Sequence, residues 1–233
     1  MEGAMIRVLL VDDHKLFRLC LRRMLETNKG LTIVGEAADG ESGVAAAREL
    51  RPDIILMDLL MPGVGGLEAI RRIGQLELPC RTIVLSACEE QPFPMQALKA
   101  GAAGYLTKGV SPEELQNAIR RVFLGKRYLS TDIAQTLAVN AWEEREAGPF
   151  DALSNRELQI MMMVANCHKV SDISSSLHLS PKTVNSYRYR IFEKLNVSSD
   201  VELALLAARY GMTGYGSVVM PPALSAQSGS QRG

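Results

Sequence analysis

The first half of the chain alternates short apolar runs with amphipathic stretches of helical periodicity. Five runs rich in Ile, Val and Leu have the length and composition of strands, and the stretches between them repeat apolar residues at spacings of three and four. The runs are, in order, IRVLLV, LTIVGEA, DIILM, RTIVLSA and AGYLT. Because helical crossovers make neighbouring strands parallel, the pattern predicts a doubly wound α/β domain with a five-stranded parallel sheet.

The second half of the chain shows helical patterns alone and predicts a small all-α domain. Three helix starts carry a capping serine, which is followed by Glu at the third helical position or by Pro at the first. These signals are Ser154 with Glu157, Ser180 with Pro181, and Ser199 with Glu202. A shorter helix from about Val170 to Leu177 precedes the Ser180 turn. Two helices joined by so short a turn predict a helix-turn-helix.

These patterns divide the chain into four parts. They are an α/β domain (1–121), a linker (122–148), a helical domain (149–210) and a tail (211–233). The linker contains a short helix from Thr131 to Trp142, which could belong to either domain. The tail is rich in Gly, Ser and Pro, so we expect it to be disordered. Translation could start at Met1 or at Met5.

Composition narrows the class of protein. The chain is 47% apolar and 22% charged, which is typical of globular domains. It contains no apolar run long enough to span a membrane and no leading signal pattern, so we expect a cytoplasmic protein with no membrane partner. The four cysteines form no Cys-x-x-Cys pair, which favours free thiols over disulfides or a zinc site.

The net charge is zero, but basic residues concentrate on the helix that starts at Pro181. Val184, Tyr187, Ile191 and Leu195 recur at helical spacing and predict its buried stripe. Lys and Asn on the opposite face suit contacts with base edges, and flanking arginines suit phosphates. The predicted DNA-contacting residues are Lys182, Thr183, Asn185, Ser186, Arg188, Tyr189, Arg190 and Lys194. Charge alone would favour a solvated surface helix, and the preceding turn favours DNA binding.

Polar residues lie at the carboxyl ends of four of the predicted strands. They are Asp12 and Asp13, Asp58, Ser86, and Thr107 with Lys108. Any one acid could simply cap a strand end, but ligands of such sheets bind where the carboxyl ends of the strands meet. Two carboxylates about 4 Å apart repel by roughly 4 kcal/mol at an effective dielectric of 20. Oxygen ligands of this kind suit Mg²⁺, so we expect a magnesium site.

This set of residues, together with Tyr105, resembles the receiver domains of bacterial two-component response regulators. The resemblance implies a flavodoxin-like fold of strand order 2-1-3-4-5, with Asp58 as the phosphoacceptor for a sensor histidine kinase or its phosphotransfer domain. It also implies Mg²⁺ ligation by Asp13, Asp58 and the Leu60 carbonyl, assisted by Asp12. Lys108 and Ser86 would then meet the phosphoryl group, and Tyr105 would rotate inward. Gly109 departs from the family, in which Pro often follows the lysine.

The segment LSNRELQI, followed by LSPKTVNSYRYRIFEKLNV, resembles the LuxR-type DNA-binding domain of the NarL/FixJ class. Cys167 and Tyr187 depart from this class, in which many members have Gly and His at these positions. These departures are similar to those of global-activator regulators within the class. That resemblance implies phosphorylation by a hybrid sensor kinase and activation of small regulatory RNA genes.

A symmetric pair of such helices would double the contact with DNA, so we expect a homodimer when the protein is phosphorylated. On the last helix, Val201, Leu205 and Ala208 cannot share the face on which Leu203, Leu206 and Tyr210 pack inward. The first three are therefore the candidate dimer contacts.

Two other classes of function remain possible on the sequence. An aspartyl-phosphate hydrolase would carry a second acid two residues after the nucleophile, where this chain has Leu60. A scaffold or RNA-binding regulator independent of phosphorylation would lack the acid pair or Lys108, and both are present. We therefore predict a phosphoacceptor rather than an enzyme. The sequence does not identify the kinase, the promoters or the resting arrangement of the domains.

Overall fold

The computed structural model describes residues 5–27, 30–88, 92–142, 148–210 and 212. Its first domain is a parallel sheet with helices on both faces, as the alternating pattern predicts. The strands are β1 (Ile6–Val11), β2 (Leu31–Ala37), β3 (Ile54–Met57), β4 (Arg81–Ser86), β5 (Gly104–Thr107) and β6 (Tyr128–Leu129). The helices are α1 (Lys15–Glu26), α2 (Gly40–Leu50), α3 (Gly66–Gly74), α4 (Phe93–Ala100) and α5 (Pro112–Phe123).

The sheet has the order β2-β1-β3-β4-β5-β6, so it contains one strand more than the five predicted. The sixth strand pairs in parallel with β5, with Tyr128 opposite Gly104 and Leu129 opposite Tyr105. A strand of two residues has no measurable periodicity, and this one lies in the segment predicted to be a linker. It covers the edge of β5, which would otherwise expose unpaired backbone groups.

The central strands are apolar on both faces because helices cover both sides. All four residues of β3 are buried. Leu9 and Ile55 belong to one core cluster, and their neighbours Leu10 and Ile54 belong to the cluster on the opposite face. Successive side chains of a strand point to opposite faces of the sheet, and here both faces are covered by helices.

The remaining elements are helical. They are α6 (Thr131–Trp142), a short 3-10 helix (Pro149–Ala152), α7 (Asn155–Ala165), α8 (Val170–Leu177), α9 (Pro181–Leu195) and α10 (Asp200–Arg209). The predicted capping box is present at α7, where Ser154 and Glu157 bond reciprocally. Ser180 caps α9 by accepting from the Thr183 amide. Helices α7 and α9 therefore begin where their capping serines predict.

The capping box predicted for α10 is only half formed. Ser199 accepts from the Glu202 amide at 3.2 Å, as expected. The Glu202 carboxylate, however, accepts from the Ser198 amide at 2.7 Å instead of the Ser199 amide. A second serine directly before the cap offers the carboxylate a hydroxyl as well, at 2.9 Å, which explains the shift by one residue.

Along α10, Leu203 and Ala207 are buried, Leu206 is half-buried, and Val201 and Leu205 are exposed. Ala208 is exposed as well, as predicted. Tyr210 was expected to pack inward but keeps 42% of its surface exposed while its ring edge contacts Phe150. Met212 is buried and its amide donates to the Ala207 carbonyl, so packing continues two residues beyond the predicted end of the domain.

Several sequence predictions lie outside the described residues. They concern the start of the chain at 1–4, the part of the predicted linker at 143–147 and the tail at 213–233. Within the described part of the chain, no helix combines the length and apolarity that crossing a lipid bilayer requires.

Candidate functional site

The parallel register of the sheet brings the predicted acids together. Val11, the last residue of β1, lies opposite Met57, the last residue of β3. The residues that follow these two are Asp12 and Asp58, and both are buried. The Asp58 amide donates to the Val11 carbonyl at 2.8 Å, which extends the strand pairing into the site. Two carboxylates from separate strands therefore share one edge of the sheet.

Lys108 lies between these two carboxylates. Its Nζ is 2.7 Å from Asp12 Oδ2 and 2.8 Å from Asp58 Oδ2. The residue follows β5, and its amide donates to the Ser86 carbonyl at 2.9 Å, which fixes the start of the side chain. The ammonium also lies 4.8 Å from the centre of the Phe17 ring. One cation thus pairs with two buried acids, and the site retains a net negative charge.

The environment of Asp58 makes its ionised form less stable than that of an exposed aspartate. Burial raises the pKa of this carboxyl to about 6, the ion pair with Lys108 opposes that rise, and the nearby Asp12 adds to it. Asp58 Oδ1 accepts from the Leu59 amide at 2.7 Å, and the Leu60 amide lies 3.4 Å from the same oxygen. The pKa of Lys108 is raised because the two carboxylates outweigh the opposing effect of burial. The excess of acid at this edge is a site for a further positive charge.

The donor set fits a hard divalent cation. Ligand atoms of Asp12, Asp13, His14 and Asp58 all lie within 4.8 Å of one another. Asp13 Oδ1 is buried and accepts no hydrogen bond, although His14 Nδ1 lies 2.9 Å away. A buried carboxylate oxygen without a donor is costly unless something positive approaches it. The receiver resemblance also assigns the Leu60 carbonyl to this ion.

Ser86 and Tyr105 flank the acids on the next two strands, and both side chains are fully buried. Ser86 Oγ accepts from the Cys88 amide at 3.2 Å. The Tyr105 hydroxyl donates to the Cys88 carbonyl, so the same turn is bonded by the side chains of Ser86 and Tyr105. Burial raises the pKa of the Cys88 thiol to about 12. Sequence reasoning passed over Cys88, because a lone cysteine after a strand carries no signal of its own.

Helix α9 presents the predicted polar face to solvent. Val184, Ile191 and Leu195 are buried, and Tyr187 is half-buried. Lys182, Ser186, Tyr189 and Arg190 are exposed, while Thr183 and Asn185 are partly exposed. The apolar stripe and the polar face thus lie where the three- and four-residue spacing places them.

Two of the predicted basic contacts have partners within the protein. Arg188 pairs with Asp200 and donates to Asn185 Oδ1 at 3.0 Å. Lys194 Nζ lies 2.6 Å from the buried Glu157 carboxylate and 3.1 Å from the Ala152 carbonyl. Lys194 therefore joins α9 to α7. Sequence reasoning placed it on the flank of the DNA face, because a helical pattern does not reveal a partner on another helix.

Cys167, one of the departures from the LuxR class, has a backbone φ of +61°. This left-handed conformation is one that glycine adopts without strain. It lies between α7 and α8, and its amide donates to the Val164 carbonyl. The geometry accounts for glycine at this position in many members of the class.

Both domains of this chain match families of known proteins. The response regulator receiver domain family matches residues 8–120, and the family of bacterial regulatory proteins called luxR matches residues 151–207. The chain belongs to the LuxR-type response regulators. Response regulator GacA of Pseudomonas aeruginosa is 56% identical over 209 residues, which cover 89% of this chain and 98% of the relative.

Two further response regulators support the same assignment. Response regulator UvrY of Escherichia coli strain K12 is 52% identical over 209 residues, covering 89% of this chain and 96% of the relative. A solved two-component response regulator of the LuxR family from Aurantimonas sp. SI85-9A1 is 40% identical, with a TM-score of 0.58. The match covers 60% of this chain and 99% of that one.

Proposed function

We propose that this response regulator accepts a phosphoryl group on Asp58 and, once phosphorylated, regulates transcription from promoter DNA. The donor is a sensor histidine kinase or its phosphotransfer domain. The observation that carries the proposal is the position of Asp58, a buried carboxylate at the sheet edge that shares Lys108 with Asp12.

Phosphoryl transfer needs an in-line nucleophile and positive charge around the transferred oxygens. An Asp58 carboxylate oxygen attacks phosphorus, the bond from phosphorus to the donor breaks, and an acyl phosphate forms. The Lys108 ammonium lies 2.8 Å from Asp58 Oδ2, so it can pair with the negatively charged oxygens of the phosphoryl group. Asp13, Asp58 and the Leu60 carbonyl, with Asp12, would hold Mg²⁺. When bound, Mg²⁺ neutralises charge on the phosphoryl oxygens.

Phosphorylation changes the partners of Lys108 and Ser86. The phosphoryl oxygens compete with Asp12 for the ammonium, since charge-assisted hydrogen bonds to phosphate are strong. Ser86 can turn its hydroxyl toward the same oxygens, which alters the turn that its side chain now supports at Cys88. Tyr105 bonds that same turn, so the change extends along β5.

The output is DNA binding through α9. Its exposed Lys182 and Ser186, with Asn185 beside them, suit base edges, and Arg190 suits phosphates. We propose a homodimer that forms through Val201, Leu205 and Ala208 when the receiver is phosphorylated. We further propose that the protein acts in the cytoplasm as a phosphoacceptor without substrate turnover, and that its targets include small regulatory RNA genes.

Genome-wide DNA occupancy with and without a phosphodonor tests input and output together. We expect occupancy to concentrate at a small set of roughly two-fold symmetric sites on phosphorylation, with promoters of small RNA genes among them. Asp58→Asn should abolish this redistribution. Occupancy that is unchanged by the phosphodonor in the wild type would contradict the proposal.

A further inference from the structure

Arg188 lies between two polar side chains, one on α9 and one on α10. Its Nη1 donates to Asn185 Oδ1 at 3.0 Å, and its Nη2 pairs with the Asp200 carboxylate. Asn185 precedes Arg188 by three residues, so the two side chains are neighbours on the surface of α9. Asp200 belongs to the first turn of α10. We call Asn185, Arg188 and Asp200 the α9–α10 bridge.

The guanidinium of this bridge is held from three sides. Besides its two polar partners, the central carbon of the Arg188 guanidinium lies 5.8 Å from the centre of the Phe192 ring. The Arg188 side chain is only 23% exposed. A guanidinium is a planar fork of donors, so partners on two different helices fix the plane in which it lies. Arg188 is therefore oriented before any DNA approaches.

The ion pair in the bridge stabilises the fold only weakly. The Asp200 side chain is 48% exposed, and ion pairs with an exposed partner contribute little to the free energy of unfolding. The pairing also balances the charge of Arg188, so the exposed Arg190 is the better phosphate contact. The main consequence of the bridge is instead the orientation of the Asn185 amide.

Arg188 determines which way that amide points. A guanidinium offers donors and no acceptor, so the amide oxygen of Asn185 must face it and the amide nitrogen must face away. Asn185 Nδ2 makes no hydrogen bond to the described residues. Asn185 is partly exposed on the same face of α9 as the exposed Lys182 and Ser186. It therefore presents two N–H donors to an approaching partner, while its acceptor is already engaged.

Base edges in the major groove differ in how well they fit such a side chain. Adenine pairs best with an asparagine that donates to N7 and also accepts from the N6 amino group, and the second bond needs Oδ1. Guanine presents two acceptors, N7 and O6, and needs donors alone. The Arg188 guanidinium adds to this difference, because it occupies the oxygen that adenine requires.

We propose that Arg188 is a positioning residue for base recognition, and that through it Asn185 recognises guanine in the major groove of the specific site. This inference rests on the proposed function, because it requires that α9 binds promoter DNA. Arg188 acts through Asn185 and contacts no base itself. Asp200 holds Arg188 in place, so a residue of α10 contributes to the choice of sequence by α9.

Three variants of the full-length protein test this assignment. Arg188→Met keeps an apolar side chain beside Phe192 but leaves the Asn185 amide free to rotate. Asp200→Asn retains Arg188 and weakens its anchor on α10. Arg190→Met is the matched control, since it removes an exposed arginine of the same helix that has no carboxylate partner among the described residues.

The measurement is the base preference of each phosphorylated protein, obtained by sequencing the DNA that it selects from a randomised duplex library. Asn185→Ala first identifies the position that residue 185 contacts, as the position at which preference is lost. There we expect the wild type to prefer guanine over adenine by about ten-fold, as one good base contact implies. The preference should fall to about two-fold or less in Arg188→Met and to an intermediate value in Asp200→Asn. Arg190→Met should keep the wild-type preference and bind all duplexes more weakly.

The inference is overturned if the wild type does not prefer guanine at that position, or if Asn185→Ala loses no preference anywhere. It is equally overturned if Arg188→Met keeps the full preference, because the amide is then oriented without the bridge. Thermal unfolding of each variant checks that it is folded, and Asp200→Asn decides the question if Arg188→Met is not. Failure of the proposed function looks different, since the wild type itself would then enrich no sequence from the library.

Discussion

Two lysines of this protein, Lys108 and Lys194, each pair with a buried carboxylate, and the two sites behave in opposite ways. Lys108 is shared by Asp12 and Asp58, and the pKa of Asp58 is raised. Lys194 pairs with the Glu157 carboxylate, which also accepts from the Ser154 amide and hydroxyl at 2.8 Å. Burial opposes ionisation of Glu157, but these donors outweigh it and lower its pKa.

The difference separates a site prepared for chemistry from a structural one. Every donor around Glu157 stabilises its charge, so nothing remains for a ligand to satisfy. Around Asp58 one lysine serves two acids, and Asp13 Oδ1 accepts no hydrogen bond although His14 Nδ1 lies 2.9 Å away. Strongly perturbed acids in such surroundings are candidates for function. Four predictions test whether this contrast holds, in order of decreasing expected effect.

The largest effect is expected at Asp58. Asp58→Asn should abolish labelling by a small-molecule phosphodonor in the presence of Mg²⁺, because the amide cannot form an acyl phosphate. Intact-mass analysis of the full-length protein measures this directly. Glu157→Gln, at the other buried acid, should still be labelled. Stoichiometric labelling of Asp58→Asn at another site would show that the nucleophile is assigned wrongly.

Without Lys108, phosphorylation of Asp58 should no longer increase DNA binding. Lys108→Ala leaves Asp58 in place, so slow labelling can continue, but the charge-assisted bond to the phosphoryl oxygens is lost. We expect the gain in DNA affinity on phosphorylation to disappear, as measured by fluorescence anisotropy on a specific duplex. A phosphorylated variant that binds as tightly as the phosphorylated wild type would refute a switching role for Lys108.

Lys194→Met should act on stability instead. It leaves the buried Glu157 without its cation, which we expect to lower the free energy of unfolding of the helical domain by about 1–3 kcal/mol at pH 7. The lowered pKa of Glu157 means that the ion pair contributes above the unfolded-state value of 4.5. That contribution is lost as pH falls through the folded-state pKa.

Urea unfolding of wild type and Lys194→Met at pH 7 and pH 3 measures this difference. The gap between the two proteins should narrow at the lower pH. The Lys194 side chain is 39% exposed, so solvent screening keeps the effect below that of a fully buried pair. A gap that is unchanged at pH 3 would indicate lost packing of the lysine stem in place of lost charge.

The smallest effect is expected on DNA affinity, from the exposed face of α9. There too, a basic residue that pairs with an acid can be compared with one that does not. Arg190 is exposed, whereas Arg188 already pairs with Asp200. Arg190→Ala should weaken binding to specific and scrambled duplexes alike and reduce the salt slope by about one ion. Asn185→Ala should weaken the specific duplex alone, by about 1–3 kcal/mol.

Salt titrations on both duplexes distinguish these two residues, and Arg188→Ala is the matched control for a paired arginine. We expect its salt slope to change less than that of Arg190→Ala. If Arg190→Ala leaves the slope unchanged and Asn185→Ala weakens both duplexes equally, then α9 is rotated on the DNA relative to the face assigned here.

Local patterns predicted much of this structure. The five longer strands and the helix starts at Ser154 and Ser180 follow from periodicity and capping, which act over a few residues. Asp12, Asp58 and Lys108 could be brought together because parallel strands end at a common edge. The resemblance to receiver and LuxR-type domains supplied the roles of these residues, which periodicity alone could not assign.

Features that depend on distant partners were not predictable. Strand β6 forms because β5 offers an edge, and two residues contain no pattern. Lys194 and Glu157 lie 37 positions apart, and the bond from Gln159 to Met61 spans 98. A single sequence contains no signal that such residues meet. The positive φ of Cys167 was equally hidden, because cysteine seldom marks a left-handed turn.

The position of α6 has a consequence for how strongly the two domains need to bind each other. This helix starts directly after β6 and ends at Trp142, and the helical domain begins with the 3-10 helix at Pro149. Six residues can span at most about 20–25 Å even when fully extended. Each domain therefore meets the other at an effective concentration in the millimolar range. Contacts that would be too weak to hold two separate proteins together are therefore sufficient between these two domains. Small changes in free energy at the phosphorylation site are then enough to change the fraction of molecules in which the contacts are formed.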